Sequence, residues 1–190
     1  MPDRISENRG IRGTVIVRSH PAGTIHLCET LIGLRRPDLA RELLKDGKVE
    51  VVQKNMIVWS LNYGFDIFVQ FLISGYTGSF AFASTLGIGW GEIGTGATTP
   101  VNTDTALTTP TNRAPVSYAA DLGFNEAQIQ FFFPDAALTN GTYTEFGTFI
   151  GGSSSIGSGN MFNHALFASA YSKSAGTDTT VEVDFSFSNS

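Results

Sequence analysis

The chain predicts a mainly β fold: an antiparallel β-sandwich or flattened barrel with one or two short helices and an extended N-terminal arm. Three observations carry this expectation. Segments rich in β-branched and aromatic residues recur at spacings of about ten residues, separated by Gly, Ser and Thr turns. The C-terminal stretch alternates, with Val181, Val183, Phe185 and Phe187 on one face and Thr180, Glu182, Asp184 and Ser186 on the other. Helical spacing of apolar residues occurs only in two short windows, 37–46 and 62–73. A length of 190 residues suits one domain, able to bury about two thirds of its unfolded surface.

Taken in order, residues 1–12 are charged, contain Pro2 and Gly10 and show no periodicity, so they read as an arm ordered by a partner. Residues 14–18 and 24–28, on either side of His20-Pro21-Ala22-Gly23, read as a hairpin. From 37 to 46 the pattern is helical: Pro37 suits a first turn, Leu39, Leu43 and Leu44 share a face, and Gly47 suits the stop. Residues 49–58 read as two short strands, or one strand bulged at Gln53-Lys54-Asn55. Asn62 is a candidate N-cap for a helix whose stripe of Phe65, Phe68, Val69, Leu72 and Ile73 packs on the sheet.

Strands are expected at 115–120, 127–133, 142–150, 161–170 and 180–188, with Pro115 placing the first at an edge or at its own start. Asn140-Gly141 reads as a hairpin turn. Residues 151–160, nearly all Gly and Ser, read as a flexible loop whose tip need not pack on anything. Two parts follow: an assembly segment, 1–54, and a β-sandwich, 55–190.

The segment 86–107 reads Leu-Gly-Ile-Gly-Trp-Gly-Glu-Ile-Gly-Thr-Gly-Ala-Thr-Thr-Pro-Val-Asn-Thr-Asp-Thr-Ala-Leu. It is expected to be a short strand entering a glycine-dense turn marked by Gly87, Gly89, Gly94, Thr95, Gly96, Pro100, Asp104 and Leu107. A literal Gly-x-Gly-x-x-Gly stands at Gly89, Gly91 and Gly94. Dinucleotide binding needs a helix N-terminus behind those glycines to meet the pyrophosphate, and the residues that follow are poor helix formers, so no cofactor is expected.

Ile93-Gly94-Thr95-Gly96, then Pro100 and Asp104-Thr105-Ala106-Leu107, resembles a segment recurring in small structural proteins of tailed-bacteriophage virions, often described as tail or tail-fibre-associated. Lys54-Asn55-Met56-Ile57-Val58 resembles the Lys-Asn-Leu-Ile-Val strand of that family, and Thr144-Glu145-Phe146-Gly147-Thr148-Phe149 its Thr-Glu-Ile-Gly-Leu-Phe strand. Residues 162–187 resemble its closing hairpin, with Lys173 and Gly176-Thr177 in the turn. The chain departs from the pattern at 108–113, where the family commonly has a glutamate after the leucine and this sequence has Thr-Thr-Pro-Thr-Asn-Arg. The resemblance implies a virion structural protein, made in the host bacterial cytoplasm and placed in a tail or tail tip. Its partners would be copies of itself and other virion proteins. Capsid decoration is an alternative placement.

Charged residues make up only 15% of the chain while Phe is frequent at 15, which fits an outside covered by neighbours as well as it fits an aromatic core under a Ser/Thr/Gly surface. Ten of the twelve Lys and Arg fall in residues 1–54, giving that part +3 and leaving −8 for residues 55–190. The expectation is a basic segment, with Arg4, Arg9, Arg12, Arg18, Arg35 and Arg36 as candidate contacts alongside Trp90, docking on the acidic body of another copy. A mostly acidic body argues against nucleic acid. No apolar run is long enough to span a bilayer, so no membrane insertion is expected.

Catalytic and metal chemistry finds no constellation. His26 and Cys28 would share a strand face, but two ligands make no zinc site, and Cys28, the sole cysteine, can form no intrachain disulfide. His20 reads as a turn residue and His164 as half-buried with one hydrogen-bond partner. Ser153, Ser154 and Ser155 lack a nucleophile elbow. Glu145 with Glu182 or Asp184 is a conceivable carboxylate pair on neighbouring strands, but a structural role for Glu145, capping an edge or pairing with Arg113 or Lys173, is the better expectation. A receptor- or glycan-binding module, stacking sugars on Trp59, Trp90, Tyr63 or Tyr143, is the rival from another class.

Overall fold

The computed structural model describes residues 10–57, 87–123 and 126–188. The elements are β1 (Gly10–Pro21), α1 (Thr24–Gly33), α2 (Pro37–Lys45), β2 (Lys48–Ile57), β3 (Ile88–Gly94), β4 (Pro110–Gly123), β5 (Glu126–Phe133), β6 (Gly141–Ile150), β7 (Asn160–Lys173) and β8 (Thr177–Ser188). The strands close into an antiparallel barrel in the order β1-β2-β7-β6-β3-β4-β5-β8. The predicted mainly β class, with two short helices, is therefore what the chain adopts. Four of the pairings, β1 with β8, β2 with β7, β3 with β6 and β4 with β5, are nested, as in one long ribbon rolled on itself. Among the described residues, the seam between β2 and β7 runs through the pairs Met56↔His164 and Ile57↔Asn163. Beyond them Gln53 Oε1 reaches across to accept the Ala168 N–H at 2.9 Å.

The N-terminal part departs from expectation. β1 pairs with β8 from Gly10↔Ser188 to Pro21↔Thr177 and with β2 on its other side, so residues 10–12 are barrel wall, not arm. The expected boundary at 54/55 falls inside β2. Residues 1–9 and the expected helix at 62–73 lie outside the described residues. The expected second strand at 24–28 is instead the first half of α1, whose Ile25 and Cys28, with Leu31 and Ile32, face α2 and Phe132 on the outside of the barrel. Its N-terminus is capped from afar: Asp178 Oδ2 accepts the Gly23 and Ile25 N–H groups at 3.0 Å each. The predicted helix at 37–46 is α2, with Pro37 at its start.

Inside the barrel lie Val15, Val17, Ile93, Phe131, Phe133, Phe146, Phe162, Val181, Val183 and Phe185, all buried. Each large apolar side chain buried there contributes about 1.5–3 kcal/mol. Gly91 is what allows Phe131 and Phe146 to meet, with ring centroids 5.5 Å apart. A Cβ at Gly91 would sit 2.7 Å from Phe146 Cζ and 2.8 Å from the Phe131 ring. Gly91→Ala is therefore expected to destabilise the chain, because overpacking costs about 1–3 kcal/mol against the roughly 0.4–1 kcal/mol gained by restricting the unfolded chain; urea denaturation measures it directly.

The glycine-dense segment is thus not a turn up to Gly94; it is the strand β3. Pro115 lies within β4 rather than at its start, at the point where β4 passes from pairing with β3 (Trp90↔Pro115) to pairing with β5 (Val116↔Phe131), a changeover that tolerates a missing N–H. Asn140-Gly141 opens β6 but makes no hairpin, because β4 and β3 stand between β5 and β6 in the barrel. Nor do β7 and β8 form the expected closing hairpin: β2 and β1 separate them. Both strands need an apolar face inside, and Phe162 of β7 meets Phe185 of β8 edge-on across the core at 5.4 Å.

Candidate functional site

Alternation puts Phe146 and Ala165 inside the barrel, so Glu145 and His164 face outward from β6 and β7, beside Trp90 and Glu92 of β3. All but Trp90 are nonetheless buried. The cover is the chain's own: the strap 95–109 joining β3 to β4, and the loop 151–159 joining β6 to β7. Between strap and sheet a small second core forms from Leu107, Phe149 and Met161, with Trp90 half-buried at its margin.

The strap is held by Glu145. Its Oε1 accepts the Gly96 N–H at 3.0 Å and the Thr109 N–H at 2.7 Å, and its Oε2 accepts the Thr108 N–H at 3.1 Å and faces His164 Nε2 at 3.1 Å. The other ring nitrogen, Nδ1, lies 2.7 Å from Asp104 Oδ2 at the middle of the strap. A histidine between two carboxylates donates from both nitrogens when protonated. Glycine is required here by close approach: a Cβ at Gly94 would meet Thr109 O at 2.5 Å, and one at Gly96 would meet Glu145 Oε1 at 2.4 Å. The strap closes at its base through Thr95 N–H to Thr109 O, 2.9 Å.

Burial by itself would push His164 down, but its bonds to Glu145 and Asp104 outweigh that and hold the imidazole above its ordinary value of 6.5. Burial would likewise push Glu145 up, and His164 with the three amides overrides it and holds the carboxyl below its ordinary 4.5. The two effects bound a pH window. His164, raised on folding, contributes fully below 6.5 and loses its contribution as pH rises through its folded value; Glu145, lowered, contributes fully above 4.5 and loses it as pH falls through its folded value. The cluster should stabilise most between 4.5 and 6.5. Buried His20 acts oppositely, since burial first and Arg18 second lower it. The test is therefore the difference in melting temperature between the native chain and His164→Asn, which should shrink as pH rises above 6.5.

A second cluster ties down the Gly/Ser loop. Arg113 pairs with Glu92, its cross-strand neighbour, and both side chains are buried. Arg113 Nη2 also donates to Ser158 O at 2.6 Å, and the Gly157 N–H donates to Glu92 Oε1 at 2.6 Å. The guanidinium lies 5.1 Å from the Trp90 ring centroid and 4.8 Å from that of Phe149. The loop, read from sequence as flexible with a tip that need not pack, is thus fastened to the sheet at Gly157 and Ser158.

Of the residues singled out from sequence, Gly94, Gly96, Asp104 and Leu107 converge on the Glu145–His164 cluster, while Gly87 is exposed and Gly89 meets nothing a side chain would touch. Thr95 is exposed and Pro100 half-buried. Arg113 and Lys173 are committed to Glu92 and Asp135, so neither pairs with Glu145. Glu145 and the β8 residues Glu182 and Asp184 form no carboxylate pair, since three strands separate β6 from β8 in either direction. His26 is exposed while Cys28 is buried, so the pair shares no face. Burial, with Asp178 and Glu29 adding, pushes the Cys28 thiol up to about 11. His20 is no turn residue but a buried end of β1, 3.0 Å from Thr180 Oγ1.

Among the candidate contacts, Arg18 is committed to Glu182 at 3.0 Å, and Trp90 is packed under Arg113 rather than presented. Arg35 and Arg36 are exposed, Arg36 paired with Asp38 at 3.0 Å. Arg4, Arg9, Trp59 and Tyr63 lie outside the described residues, as does the side chain of Arg12. Tyr143 is buried, its hydroxyl donating to Thr139 O at 2.6 Å, so it offers no stacking platform. The acidic half is also less of a surface than its charge suggests: Glu92, Asp104, Asp135, Glu145, Asp178 and Glu182 all bond within the chain. Among the described residues, no group of three or more His, Cys, Asp or Glu is arranged to hold a metal ion, and no helix is long and apolar enough to cross a membrane.

Comparison with protein-family models, with curated proteins and with solved structures finds no match.

Proposed function

We propose that this chain is a non-enzymatic structural component of a tailed-phage virion, placed in the tail or tail tip and working in many copies. The observation that carries the reading is that its separate motif stretches interlock: Glu145 of the Thr-Glu-Phe-Gly strand grips Gly96 of the glycine segment and Thr108 and Thr109 just after it, and His164 grips Asp104 of that segment. Where the resembled family commonly has a glutamate after the leucine, Thr108 here supplies an amide to that same grip. Polar groups so fully engaged with one another make a rigid body, and rigidity lowers the cost of ordering a surface at each subunit contact. Copies joined through several weak contacts gain from each contact made after the first. The α1–α2 turn presents Leu34 at 68% exposure next to Arg35 and Arg36, and β2 presents Val52 at 61% and Val49, which is the surface available to a neighbouring copy or another virion protein.

Mass spectrometry of phage particles purified after induction of the encoding host tests this reading. The chain should be found in them at a copy number matching tail symmetry. A copy number matching the capsid lattice would move it to capsid decoration, and its absence from particles would overturn the proposal.

A further inference from the structure

Where β7 turns into β8, a third cluster lies apart from the strap. Lys173, the last residue of β7, has a fully buried side chain whose Nζ lies 2.5 Å from Asp135 Oδ1, 3.2 Å from Asn140 Oδ1 and 3.1 Å from Ser174 O. Asp135 and Asn140 both come from the connection 134–140 between β5 and β6. Asp135 is itself fixed, accepting the Gly176 N–H at 3.0 Å and the Thr177 N–H at 3.3 Å. Gly141 is the cross-strand partner of Lys173, so the sheet register holds Asn140 beside the amine.

An amine in contact with both a carboxamide and a carboxylate supplies the parts of an aminolysis: a nucleophile, an acyl carbon and a proton carrier. We propose that Lys173 and Asn140 become joined by an intramolecular amide bond, with Asp135 carrying the protons. A proton passes from the Lys173 ammonium to Asp135, and the neutral Nζ attacks Asn140 Cγ to form the Nζ–Cγ bond. Asp135 then protonates Nδ2 of the tetrahedral adduct and takes up a proton from Nζ, and the Cγ–Nδ2 bond breaks with loss of ammonia. The proton left on Asp135 goes to that ammonia, so the net products are a secondary amide and ammonium. No electrons are transferred and no co-reactant is needed.

Holding the partners in contact replaces a bimolecular encounter by an intramolecular one. Asn140 is exposed, so ammonia has a way out. Asp135 is not the acyl partner, because an ionised carboxylate resists nucleophilic attack, and Lys173 foremost, then the Gly176 and Thr177 amides, keep it ionised. Attack requires the neutral amine, so the bond forms faster as pH rises. The product would tie the end of β7 to the start of β6, closing a loop between residues 33 apart in sequence and restricting the unfolded chain as a disulfide does. This inference is independent of the proposed function.

The full chain, freshly purified and then aged at neutral and mildly alkaline pH, is measured by intact-mass spectrometry and peptide mapping. The expected result is a mass lower by one ammonia and a branched peptide joining Lys173 to Asn140, formed faster at higher pH. Both signals should be absent from Lys173→Arg, which keeps the ion pair with Asp135, and from Asn140→Ala, an exposed position. An unchanged mass after ageing overturns the proposal. So does loss of ammonia that persists in Lys173→Arg, which would mark a succinimide at Asn140-Gly141, and so does loss of water with a link to Asp135.

Discussion

Replacing Glu145 by alanine should destabilise the chain by about 3–5 kcal/mol, the range for removing one partner of a buried charge pair. The carboxylate accepts three backbone N–H groups and faces His164, and the residue is fully buried. Alanine strands all four donors, and each stranded buried donor costs about 1–3 kcal/mol before relaxation and water entry. Glu145→Gln keeps the shape but offers one acceptor oxygen, so its amide nitrogen must confront either the Gly96 and Thr109 N–H groups or the Thr108 N–H together with His164. Its loss should approach that of alanine. Because Gly96, Asp104, Thr108 and Thr109 all belong to the strap or its junction with β4, the loss is local as well as global. Urea denaturation measures the global part, and hydrogen exchange at the strap amides the local part. A loss below about 1 kcal/mol with unchanged strap exchange would show that the strap is held by its Leu107–Phe149–Met161 contacts instead.

The same residues show what was legible in the sequence. The walls were: the alternation of β8 and the Pro37-to-Gly47 pattern of α2 are local signals, and the structure has both elements where those signals lie. α1 was not, because its β-branched residues read as a strand while its helical stripe, Ile25, Cys28, Leu31 and Ile32, is short and its cap comes from Asp178, 155 residues beyond Gly23. The glycine segment read as a turn because sequence does not reveal that Gly91 makes room for Phe131 and Phe146, or Gly94 and Gly96 for Glu145. Its importance was visible; its conformation depended on neighbours far along the chain.

Charge was the least legible feature. The excess of acid after residue 54 read as a surface field, yet burial and pairing consume most of it within the chain. Partners could not be assigned without register: Arg113 sits opposite Glu92 on adjoining strands, while Glu145 lies opposite Leu166 and takes its ionisable partner, His164, from diagonally across the ladder. Corner connections failed for a related reason. A tight Gly-containing link between two amphipathic strands signals reversal, but not whether the second strand pairs with the first or crosses to another wall, as β8 does.

Arg113→Ala should cost about 3–5 kcal/mol as well, since it leaves the Glu92 carboxylate buried with its cation removed. It also removes the donor to Ser158 O and the cation between the Trp90 and Phe149 rings. The pair is nevertheless an imperfect one: among the described residues Glu92 Oε2 and Arg113 Nε have no hydrogen-bond partner. Taking two charges out of water and leaving one atom of each unsatisfied makes the net contribution of the intact pair small, even though breaking it is costly. The double variant Glu92→Met with Arg113→Met should therefore recover most of the stability lost in Arg113→Ala, because thioether side chains fill the same volume against Trp90 and Phe149 without an ionic demand. What the double variant should not recover is the order of the loop 151–159, which loses both of its anchors, the Gly157 N–H and Ser158 O contacts. Denaturation of the two variants, with limited proteolysis of the loop, separates the outcomes: a double variant as unstable as Arg113→Ala would mean that the ion pair itself supports the barrel wall.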